Sequence, residues 1–107
     1  MTHLFDVPED RLAPSPDVDR VAGWVVAQRR ETDDAERTDY LIGVWRLADA
    51  SLVWHTVLEH VVDYRTGAER GGRVLAVSFT APDRLRVELQ SADAFSAPES
   101  LELELPS

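Results

Sequence analysis

Residues 73–90 have one good way of folding back on themselves, and that constrains the chain more than any other stretch. A loop of Ala81, Pro82 and Asp83 sets Thr80 opposite Arg84. Counting outward pairs Phe79 with Leu85, Ser78 with Arg86, Val77 with Val87, Ala76 with Glu88 and Leu75 with Leu89. Every apolar pair then falls on one face, while arginine and glutamate fall on the other, as a half-buried antiparallel hairpin requires. A two-residue loop would set Phe79 opposite Arg86, so a slip by one residue is disfavoured. Asp83 tolerates the left-handed backbone that such loops use. Residues 101–105 continue the theme: Leu101, Leu103 and Leu105 alternate with Glu102 and Glu104 before Pro106 stops the strand.

Other segments read as helical. Ser15-Pro16-Asp17 carries a capping hydroxyl and a proline suited to a first helical turn. Val18, Val21, Ala22 and Val25 follow at helical spacing, with Trp24 widening the stripe and Arg29 and Arg30 at the negative end of the dipole. Gly23 and the β-branched Val25-Val26 keep a strand open as the alternative over residues 18–30. Residues 51–65 give the clearest helical pattern, because Val53/Trp54, Val57/Leu58 and Val61/Val62 recur every four residues. Asp49 or Ser51 would cap that helix, and Gly67 would end it in a left-handed conformation. Residues 40–48 (YLIGVWRLA) fit either a helix or a strand buried on both faces. The polar run 31–39 reads as a solvated loop, 68–72 as a turn, 91–100 as a small-residue loop and 1–15 as an extended arm. The fold expected is one α+β domain over residues 1–107, with two or three helices packed on a small antiparallel sheet of the 73–90 hairpin and the strand 101–105.

At 107 residues the chain is one domain and not a cofactor half joined to a substrate half. The absence of cysteine excludes a disulfide framework, a thiolate metal site, an iron–sulfur cluster and a cysteine nucleophile. All 11 basic residues are arginine, asparagine is also missing, and a single isoleucine stands against 13 valines. Those three depleted residues have AT-rich codons, so a high-GC bacterial genome explains the bias. Without lysine, Schiff-base chemistry and the phosphate-loop ammonium are excluded. No signal peptide and no apolar run of about 20 residues is present, so a cytoplasmic location is expected. The net charge of −9 is unevenly placed. Residues 1–39 carry −5, residues 40–90 are neutral, and residues 91–107 carry −4. Such a field repels nucleic acid and anionic membranes.

One cluster invites chemistry. On a helix, His55 and Glu59 are one turn apart and can touch, offering an imidazole and a carboxylate to a metal or a base with its orienting acid. His60 points away, and a third ligand would have to come from Asp63 or His3. The spacing matches no metalloprotease motif, and the simpler reading is a solvated helix face. Trp24, Trp45 and Trp54 lie in apolar stripes, as core residues or as the lining of a ligand or partner surface. Arg70, Arg73, Arg84 and Arg86 around the hairpin could form a local positive patch, although the simpler reading is that they solvate the outer face of the sheet with Glu88 partly neutralising them. The sequence therefore suggests a small, acidic, non-catalytic binding, adaptor or inhibitor-type protein whose partner is another protein with a basic surface, with self-association as a variant. A small enzyme or ligand carrier with a pocket between sheet and helices, using His55 and Glu59, is the alternative. No cofactor or metal is expected.

Overall fold

Strands make up most of the computed structural model, which describes Val7, Pro8 and residues 11–91 and 97–106. Eight strands follow in chain order: β1 (Ala13–Pro14), β2 (Arg20–Glu31), β3 (Ala35–Arg46), β4 (Leu52–Asp63), β5 (Glu69–Arg70), β6 (Arg73–Ala81), β7 (Arg84–Gln90) and β8 (Glu99–Glu104). They form two antiparallel sheets, one ordered β1-β2-β3-β4-β5 and the other β6-β7-β8. The α+β expectation is thus overturned: among the described residues there is no helix, and none that could cross a membrane.

The two helical misreadings have separate causes. In β4 each doublet of the four-residue repeat sends one residue to each face. Trp54, Leu58 and Val62 point inward, and Val53, Val57 and Val61 point outward. A repeat of four is close to the helical period and also a multiple of two, so the pattern alone is degenerate. The β-branched residues Val53, Thr56, Val57, Val61 and Val62 settle it in favour of a strand. In β2, Val21 and Val25 lie on one face, Ala22 and Trp24 on the other, and both faces are covered at this end. Burial on both sides erases the alternation that marks a half-exposed strand.

The capping chemistry is real but serves turns. Ser15 Oγ donates to Asp19 (3.0 Å) and accepts from the Arg20 N–H (3.2 Å), closing the β1–β2 turn where Val18 takes φ 58°. Asp49 accepts from the Ser51 N–H (3.1 Å) and hydroxyl (2.6 Å) in the β3–β4 turn. Those bonds, the hydroxyl's foremost, hold the Asp49 carboxyl below its usual pKa. Gly67 is left-handed as expected, but its N–H closes a turn onto the Asp63 carbonyl (2.8 Å). The polar stretch 31–39 is a tight hairpin, with Thr32 Oγ1 accepting from the Asp34 and Ala35 N–H groups. Residues 40–48 resolve as the strand alternative as far as Arg46. Tyr40, Ile42 and Val44 face one side of β3, and Leu41, Gly43 and Trp45 face the other.

The hairpin of β6 and β7 keeps the expected pairs Phe79–Leu85, Ser78–Arg86, Val77–Val87 and Ala76–Glu88. It differs at both ends. Ala81, not Thr80, pairs with Arg84, leaving a two-residue loop and Thr80 bulged. At the base Leu75 bulges out, 44% exposed, and Val74 takes its place opposite Leu89. Each bulge absorbs one residue, so the short loop does not push Phe79 onto Arg86. β8 adds to β7 with Leu103 against Leu85 and Leu101 against Val87.

The second sheet packs on one face of the first. Ala22, Tyr40, Ile42 and Val44 meet Val74, Val77, Leu85 and Val87, with Leu105 at the rim. β6 lies against β1 and β2, whereas no strand of the second sheet is so close to β4. The sandwich therefore opens toward β4. On the opposite face Val7 and Leu12 cover Val21 and the fully buried Trp45.

Candidate functional site

The strands β2, β3 and β4 are 12 residues long, while their cover has strands of 9, 7 and 6. The mismatch leaves concavities at both ends of the sandwich.

At the end holding the β3–β4 turn lies a groove of about 710 Å³ whose apolar lining includes Val18, Leu47, Val53, Trp54 and Leu105. Three of these are large hydrophobics left in water: Val18 is 64% exposed, Leu47 43% and Val53 40%. Clustered exposed apolar side chains of this kind mark interaction surfaces. Arg20 and Arg46 stand at the same groove, paired at 3.7 Å with Asp19 and at 3.6 Å with Asp49. The groove runs into the free edge of β4. β5 pairs only with Val61 and Val62, and Gly71 abuts the Glu59 carbonyl, so no described strand pairs with Leu52–Leu58 on that side. This segment carries no charged residue and no proline.

At the opposite end a cavity of about 360 Å³ is bounded by Arg29, Thr38, Tyr40, His60, Tyr64 and Arg73, among others. His60 is 7% exposed, and its Nε2 lies 2.5 Å from Glu69 on β5. The other oxygen of Glu69 accepts from the Ser91 hydroxyl, tying β5 to the chain just after β7. Glu36 accepts from the Tyr64 hydroxyl at 2.9 Å and pairs with Arg29 at 2.9 Å. The bond to Glu36 is the main reason that the Tyr64 pKa is pushed up to about 12; burial raises that of Tyr40.

Both tyrosines of the chain should thus stay protonated at pH 10, their ordinary midpoint. Folding binds these protons more tightly than the unfolded chain does. The Tyr64 contribution is full below pH 10 and is lost as pH rises toward 12. Tyrosinate absorbance should lag free tyrosine in an alkaline titration and Tyr64→Phe should flatten the fall of Tm; an ordinary titration of two phenols would contradict this.

The residues singled out from the sequence scatter. His55 is exposed on the outer face opposite Gly43, and Glu59 lies about 13 Å further along the same strand face, given some 3.3 Å per residue. Their contact needed a helical turn and is not made. Glu59 is instead held by Arg37 (2.6 Å) and Arg70 (3.1 Å). His60 occupies the opposite, inner face, and His3 lies outside the described residues. No group of three or more His, Asp or Glu among the described residues is placed to hold a metal ion. Trp45 is wholly buried, Trp24 stacks edge-on to Tyr40 (5.7 Å) beneath Arg11, and Trp54 alone of the three lines the large groove. Arg84 and Arg86 are on the outer face of the second sheet, 3.7–3.8 Å from Glu102 and Glu104. Exposed pairs of that length contribute little.

Glu69, Thr38 and Tyr40 escaped the sequence reading as site residues, and Arg73 stood out there only as one of the hairpin arginines. Their signal exists once the register is known: Thr38 and His60 are polar residues at positions where period two demands core. No family model matches the chain, and no curated protein or solved structure matches it significantly.

Proposed function

We propose that the chain is a non-catalytic binding domain that takes up an extended segment of another protein along the free edge of β4, with an apolar side chain anchored beside Trp54. The observation that carries this is the contrast between that edge and those of β2, β8 and β6, the last being broken by bulges at Leu75 and Thr80. The β2 edge beyond Ala22 is interrupted by a bulge at Ala27 and guarded by Arg29, Arg30 and Glu31. The β8 edge carries Glu99, Glu102 and Glu104. Charges and bulges are how sheets avoid unwanted pairing, and Trp54–Leu58 has neither. An added strand makes main-chain hydrogen bonds, and pockets for alternate side chains set its specificity. Here the inward positions meet Trp54, Thr56 and Leu58, so apolar residues belong there. A net charge of −9 favours basic residues at the outward positions and makes encounter salt-sensitive.

Panning a displayed library of random extended peptides against the whole chain tests the proposal. Recovered peptides should alternate apolar and basic residues and shift the amide resonances of residues 52–58. Val57 is half exposed on the outer face, so Val57→Lys adds a guard to the edge without disturbing the core. It should weaken binding about tenfold, or about 1.4 kcal/mol. Leu47→Asp at the groove should do the same. Peptides indifferent to both variants, no recovered peptide, or a β4-mediated dimer of the chain in light scattering would each overturn it.

A further inference from the structure

We infer that the cavity between β3, β4 and the start of β6 is a second, independent site that binds a small organic anion, a carboxylate or phosphate head on a short apolar body. Two polar side chains at this cavity are uncommitted. Thr38 and Tyr40 are each 5% exposed and border this cavity, yet neither hydroxyl has a hydrogen-bond partner among the described residues. Among the described residues no buried side-chain oxygen lacks a partner, so both hydroxyls open onto the cavity and stand there as donors free to meet a ligand. A ligand acceptor in the cavity satisfies both.

The charge is equally specific. Arg73 borders the cavity and makes no ion pair or hydrogen bond among the described residues, while every other cavity charge is engaged. Glu36 is taken by Arg29 and Tyr64, and His60 is held by Glu69. In a chain of net charge −9 this leaves one uncommitted guanidinium beside two donor hydroxyls. Guanidinium forks bind carboxylate and phosphate through paired N–H donors. Val26 and Val62, with the rings of Tyr40 and Tyr64, supply apolar walls. A volume of about 360 Å³ fits a small molecule and not a polymer.

Benzoate, phenyl phosphate and the neutral isostere benzamide are the probes, titrated into the isotope-labelled full chain. Benzoate or phenyl phosphate should saturate with a dissociation constant on the order of 1 mM or tighter. Amide shifts should centre on residues 38, 40, 60 and 73, and benzamide should leave them in place. Whichever anion binds more tightly identifies the head group. Arg73→Gln, at an exposed position, should weaken binding about tenfold, and Tyr40→Phe, which keeps the ring, about fivefold. Failure of both anions to saturate, equal binding of benzamide, or shifts at Arg73 that spare Thr38 and Tyr40 would overturn the assignment. Peptide binding at β4 stands or falls separately.

Discussion

Trp45→Ala should be among the most destabilising single substitutions in this protein, costing about 3–5 kcal/mol, the usual range for deleting a buried aromatic side chain. Trp45 is fully buried and is the centre of the second core, where Val7, Val21, Leu12, Val25 and Leu52 pack around it. A domain of this size has about 5–15 kcal/mol in total, so a urea titration should show a large drop in midpoint or no folded baseline at all. The same ring explains Gly43. A Cβ at Gly43 would lie 2.6 Å from the indole, so Gly43→Ala alone forces the ring to shift. In the double variant the collision is gone, and the two costs should be clearly less than additive. Strict additivity would mean that the ring does not rest on Gly43. A midpoint close to wild type for Trp45→Ala would mean that the outer face needs no cover.

The same residue shows why part of the fold was legible and part was not. The hairpin of β6 and β7 could be read because one face meets the core and the other meets water, so apolar and charged residues separate cleanly. β3 could not, because Tyr40, Ile42 and Val44 enter one core while Trp45 enters another. A strand buried twice is apolar at every step and carries no period. β4 misled for a different reason: its valine doublets satisfy a helical repeat and a strand repeat alike. Serine, proline and aspartate near residues 15 and 49 are chemically correct predictions of satisfied backbone N–H groups, but such bonds close turns as readily as they cap helices.

The candidate sites were legible only through the fold. His55 and Glu59 looked like a pair at helical spacing; at strand spacing they are far apart and exposed. His60, which the helix turned away from the pair, becomes the buried group facing a cavity. In sequence Trp54 is one of three tryptophans that fit a core or a binding surface. It gains meaning from the length difference between the two sheets, which no local pattern carries. Arg73 was visible only as one of several hairpin arginines. What separates it from Arg84 and Arg86 is tertiary: those two face the glutamates of β8, and Arg73 borders the cavity that His60 lines.

Two glycines provide the sharpest contrast of backbone and packing. Gly67 and Gly71 both have φ 74°, so an alanine at either pays the left-handed penalty of about 1–2 kcal/mol. At Gly67 nothing lies within 4 Å of the new Cβ, and that penalty should be the whole effect. At Gly71 the Cβ would lie 2.0 Å from the Glu59 carbonyl oxygen, a distance only backbone movement can relieve. The movement must pull the β5 segment from β4, and with it Glu69 from His60 and Ser91. Gly71→Ala should therefore cost several kcal/mol more than Gly67→Ala in paired urea titrations, and lose amide protection at Val61 and Val62. Equal midpoints for the two variants would show that β5 is not fixed against β4. The site facing His60 would then lack the rigid wall that its ligand requires.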